Sequence, residues 1–136
     1  MKTYAFRLQR GQELKKELQQ FVAKNKLHAA FIVAAVGSLD SATLRMAGAT
    51  PEKEDIRTFE EKLEVVSLVG TIAKDALHLH IALSRKNGEV IGGHLKEAVV
   101  DTTMEVVVGN VDGVEFTRKI DTITGFKELH VVQKKV

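Results

Sequence analysis

With 136 residues, 44% of them hydrophobic and 28% charged, the chain has the length and balance of one globular domain with its own apolar core. It contains no cysteine, which excludes disulfides, thiolate metal sites and cysteine nucleophiles and accords with a reducing compartment. A net charge of +2, from 20 Lys and Arg mixed with 18 Asp and Glu, gives no basic stripe, and with no Trp, one Tyr and six Phe there are few rings to stack on bases.

The N-terminus MKTYAFRLQR holds no apolar stretch of signal-peptide length. No run approaches the roughly 20 apolar residues that cross a bilayer, so a cytoplasmic location is expected. Tyr4, Phe6 and Leu8 alternate with polar or small neighbours, the pattern of a strand with one buried face, which Gly11 ends. From Gln12 to Lys26, the residues Leu14, Leu18, Phe21 and Val22 form a helical stripe opposite a polar face, predicting a surface helix over a sheet. Ala29 to Val36 is a nearly continuous apolar run closed by Gly37-Ser38, suited to a strand buried on both sides. Ser41 to Ala47 is expected to pair back against it. Gly48 to Thr58, with the sole proline, Pro51, reads as the most loop-like stretch.

Beyond it, Lys62 to Ile72, Ala76 to Ser84, Thr103 to Asn110 and Val114 to Ile120 read as strands, and Asn87-Gly88 and Asp112-Gly113 as hairpin turns. The expectation is an α/β chain of the α+β kind: a single compact domain over residues 1–136, with a largely antiparallel sheet covered by one main N-terminal helix.

The chemically pointed feature lies in Ala76 to Ser84. A strand period of two puts Leu77, Leu79, Ile81 and Leu83 on one face and His78 and His80 on the other, where two imidazoles can converge on one cation. His94 follows Gly92-Gly93, whose missing Cβ atoms permit a close backbone approach. Three histidines and an open position is the arrangement of catalytic zinc. Glu105, isolated in an apolar run, is a candidate fourth ligand or an outer partner that fixes a histidine tautomer. Two other readings stay open: a polar ligand pocket without metal, and histidines that only hydrogen-bond. Histidine nitrogens suit zinc, copper, iron and nickel alike.

Other motifs are weaker. Gly92-Gly93 lacks the full G-x-G-x-x-G spacing, and Ser38 and Ser67 lack a nucleophile-elbow context. Arg118 and Asp121 flank a turn and could pair with each other, a kind of pair more often structural or interfacial than catalytic, and His28 and His130 read as structural.

The run Leu63 to Thr71, then Leu77-His78-Leu79-His80, Gly88, Gly92-Gly93-His94-Leu95 and Glu105 to Val108, resembles the plants-and-prokaryotes conserved (PPC) domain. The likeness extends to Arg7, Gly11, Leu14 and Ala30 to Gly37 at the front and to Arg118, Asp121, Thr124-Gly125-Phe126 and Leu129 at the back. This resemblance implies a homotrimer and, in prokaryotic members, a zinc set at the positions of His78, His80 and His94. Plant members carry an AT-hook ahead of the domain. No Arg-Gly-Arg-Pro core occurs here, so the chain resembles the stand-alone prokaryotic type.

The leading expectation is a trimeric zinc-binding domain with a small-molecule ligand at the metal and Glu105 beside it, with no reaction assigned. The competing one, by analogy, is a DNA-associated regulator displaying Arg85 and the tail Gln133-Lys134-Lys135-Val136, with weak, non-specific DNA binding expected. A third is a structural or partner-binding trimer.

Overall fold

The computed structural model describes residues 1–135; the last residue of the basic tail, Val136, lies outside them. The chain opens with strand β1 (Lys2–Gln9), whose alternation buries Leu8 and half-buries Tyr4 and Phe6. Gly11, at φ 89°, turns the chain into helix α1 (Leu14–Lys24). The Glu13 side chain caps this helix by accepting from the Lys15 and Lys16 amides. One of its carboxylate oxygens also accepts from the Ala98 amide, which ties the helix start to the sheet. Leu14, Leu18 and Val22 are buried, and Phe21 stacks on Phe6 with ring centroids 3.9 Å apart.

The strands that follow are β2 (Ala30–Arg45), β3 (Ile56–Phe59), β4 (Leu63–Ile72), β5 (Leu77–Ser84), β6 (Val90–Asn110), β7 (Val114–Ile120) and β8 (Lys127–Gln133). Six of them form an antiparallel sheet in the order β1-β6-β5-β4-β2-β3, and β2 pairs with β6 as well. That extra pairing closes β6, β5, β4 and β2 into a barrel-like ring around the core. Leu39, Leu44, Leu63, Leu79, Leu83, Leu95 and Met104 fill it, all 1% exposed or less. The β7–β8 hairpin stands apart and docks through Phe116 on Ala29 and Ala73.

Four sequence expectations need correction. Ser41 to Ala47 does not pair back against the preceding run: Ala30–Arg45 is one 16-residue strand, carried past Gly37 by register shifts against β6. The strand expected at Thr103 begins at Val90, because tertiary pairing with β5 and β2 overrides the weak strand preference of its Gly, Lys, Glu and Ala residues. Strands β3 and β8 were not foreseen; β3 lies partly in the stretch read as a loop, and β8 is polar and mostly exposed. Nor is the apolar run of β2 buried on both sides within one chain, since Val33 and Val36 are at least half exposed.

Candidate metal centre

The expected alternation in β5 is present: Leu79, Ile81 and Leu83 enter the core, while His78 and His80 take the opposite face. Residue pairing supplies the third histidine, because His94 on β6 lies directly opposite His80. Close strand approach at this point needs small residues. A Cβ on Gly92 would lie 2.6 Å from the Ile81 carbonyl oxygen, and one on Gly93 2.7 Å from that of Arg45.

The three imidazoles offer ligand nitrogens that all lie within 4.8 Å of one another. His78 Nε2 and His80 Nε2 are 3.2 Å apart. Two nitrogens on a tetrahedral zinc with bonds of about 2.0–2.1 Å would be separated by about 3.3 Å, so the pair already has the spacing of two ligands. His94 Nδ1 is buried and has no hydrogen-bond partner among the described residues. A bound ion would give this set an acceptor's use that the protein itself does not provide, so the residues present fit a divalent metal.

The electrostatics keep the His78 and His94 rings in the coordinating form. Burial, then His80 and Arg118, push the His78 pKa below its usual value. Burial, then the Arg45 guanidinium and His78, lower that of His94 to about 3. Both are therefore neutral at physiological pH, with lone pairs free for an ion.

Two arginines flank this cluster, and sequence reading assigned a site role to neither. Arg45 is the β2 residue paired with His94, and its guanidinium lies over the Phe126 ring and pairs with Glu54. Arg118 comes from β7 and donates through Nη2 to Thr71 Oγ1 at 2.7 Å; Thr71 is the β4 residue opposite His78. An Arg118–Asp121 pair is not formed, since the Asp121 carboxylate instead accepts from the amides of Ile123 and Thr124. Glu105 also departs from expectation. It is exposed, pairs in register with Arg7 and Val36, and lines a separate recess with Phe6 and Val107. The buried carboxylate that suggested an outer partner for the histidines is not there, because Met104 and Val106 take the inward positions.

Residues 1–112 match the family model of the Plants and Prokaryotes Conserved (PCC) domain. The chain belongs to that family. Among solved structures, this PPC domain is similar to a hypothetical protein from Salmonella, with 38% identity, a TM-score of 0.92 and coverage of 98% of this chain and 95% of that one. It is also similar to a protein from Archaeoglobus fulgidus named as metal-containing, with 31% identity, a TM-score of 0.85 and coverage of 96% and 94%. A protein from Bacteroides thetaiotaomicron with a provisional DNA-binding name shares the fold at 24% identity, a TM-score of 0.84 and coverage of 94% and 91%. The curated relatives are two Synechococcus proteins named bifunctional protein GlmU, one of them 40% identical over 132 residues. That match takes in 96% of the PPC chain, which spans about a fifth of those relatives' length.

Proposed function

We propose that this PPC domain is a trimeric metal-binding protein in which His78, His80 and His94 hold one divalent ion per chain, zinc above all, beside a recess for a small ligand. The observation that carries this reading is the convergence of three imidazole nitrogens within 4.8 Å from register-paired strands. The name of the Archaeoglobus relative agrees with it. A zinc ion held by the three histidines would supply Lewis acidity to a water or ligand atom bound beside them. The protein's own part is to hold His78 and His94 neutral, close the strands through Gly92 and Gly93, and set Arg45 and Arg118 beside the cluster. No residue outside the cluster assigns a reaction.

Support for the trimer comes from apolar surface. Val33 and Val36 on β2 and Val66 and Val69 on β4 are all at least half exposed. A head-to-tail ring uses two different patches on each copy and covers both.

A DNA-binding role has less to stand on. Arg85, one of the basic residues expected to face DNA, forms a two-pronged pair with Glu61, while Arg10, Arg57 and Lys62 pair with Asp101, Asp55 and Asp40. Cations held by carboxylates on the same surface make a poor footprint for phosphates. Among the described residues, no helix is long and apolar enough to cross a membrane.

Elemental analysis of protein made without a polyhistidine tag tests the metal reading. Wild type should carry close to one zinc per chain, His80→Ala should lose most of it, and His130→Ala, outside the cluster, should keep it. Equal or absent metal in wild type and His80→Ala would reduce the histidines to a structural role.

A further inference from the structure

Against the histidine cluster lies a recess of about 270 Å³ lined by Arg45, Leu77, His78, His94, Arg118 and Phe126, among others. Its wall is unusual in charge. Two guanidiniums enter it from different strands, and each is placed by a fixed partner: Arg45 by Glu54 and the Phe126 ring, Arg118 by Thr71. Glu128 also lines the recess, and its carboxylate and that of Asp75 act on Arg118 from beyond ion-pair distance. Arg118 is half-buried, and its Nε is buried with no hydrogen-bond partner among the described residues. One of its five donors is thus used by Thr71, and the burial of the group is not repaid by an ion pair among the described residues.

Metal-binding histidines do not require neighbouring arginines; Arg45 has its carboxylate in Glu54, but Arg118, which forms no ion pair among the described residues, is unfavourable beside a dication unless an anion joins it. The planar donor fork of a guanidinium matches a carboxylate, and the apolar wall of Ala76, Leu77 and Phe126 suits a short carbon skeleton. We infer that this recess binds a small organic carboxylate, held by Arg118 and Arg45 and presenting a second donor atom to the open position of the histidine-bound metal. The inference rests on the metal reading above and adds to it the chemical class of the ligand. It also accounts for the placement of Arg118 on the separate β7–β8 hairpin: docking that hairpin on the ring completes the recess.

The test uses the full chain loaded with Co²⁺, whose visible bands report both occupancy and changes at the open position. Oxalate is the carboxylate probe and inorganic phosphate the competing one. Oxalate should shift the bands saturably and bind more tightly than phosphate. Arg118→Gln should weaken oxalate at least tenfold while cobalt stoichiometry stays at one per chain, with Arg118→Lys intermediate. Arg45→Gln serves in the same way if Arg118→Gln fails to fold by circular dichroism. Oxalate binding unchanged in the folded variants, tighter binding of phosphate, or no oxalate binding to cobalt-loaded protein would each overturn the carboxylate site. If wild type binds no cobalt, the metal reading fails by itself. Calorimetry with metal-free protein then decides the recess: oxalate heat that Arg118→Gln abolishes supports it, and absence of heat overturns it.

Discussion

At the scale of single residues, the centre is governed by burial of groups that charge easily. His94 refuses a proton until about pH 3, chiefly because it is buried and secondly because Arg45 stands beside it. In the unfolded chain the same imidazole titrates near 6.5. Between those values the unfolded state binds a proton that the folded state does not, so the histidine's contribution is intact above about pH 6.5 and is lost as pH falls toward 3. His78, shifted the same way, adds to the slope. Chelator-treated protein should therefore show a falling urea midpoint between pH 7 and pH 5, with a smaller fall in His94→Asn. A midpoint that is flat over this window would contradict the burial argument. The histidine pair on β5 was legible in the sequence, since period-two alternation needs only neighbours in the chain. Arg45 and Arg118 were not, because His94, which Arg45 faces, and Thr71, to which Arg118 donates, are distant in sequence and nothing local marks either contact.

At the scale of elements, close strand spacing sets the positions of the clustered histidines. Gly70 of β4 pairs with Leu79, between His78 and His80, and a Cβ there would lie 2.0 Å from the His78 carbonyl oxygen. Its φ of 152° also lies outside the range that side-chain-bearing residues prefer. Gly70→Ala must push β5 outward at His78. The cost should be about 3 kcal/mol, the upper end of what overpacking usually brings. Metal occupancy should fall with it, whereas Gly88→Ala, where nothing lies within 4 Å of the added Cβ, should keep the metal and lose stability only through its positive φ. Denaturant titration and metal analysis of the two variants check both statements. The helix, β4, β5 and β7 follow their sequence patterns closely because each carries its own apolar period. The long β6 does not: Gly92, Gly93, Lys96 and Glu97 are poor strand residues, held extended by partners on both sides.

At the scale of the whole molecule, the ring of β6, β5, β4 and β2 buries one core and leaves valines on β2 and β4 exposed. If three copies cover those valines, light scattering coupled to gel filtration should give three times 15.0 kDa. Val36→Glu, which places a charge in the patch without touching the core, should shift the mass toward that of one chain and leave the circular dichroism of the fold unchanged. A wild-type monomer at micromolar concentration would refute the ring.

The sequence by itself determined the class of fold, the covering helix, the shared face of His78 and His80 and the need for small residues before His94. These are consequences of periodicity and of backbone sterics within a few residues, which any chain with this pattern must obey. Only the tertiary structure decided that β2 and β6 run on as long, bulged strands, that His94 faces His80 in register, that Glu105 lies outside the cluster and that Arg45 and Arg118 stand beside it. Each of those is a matter of which distant segments pair, and the pairing energy comes from a core that no local stretch of the chain can form alone.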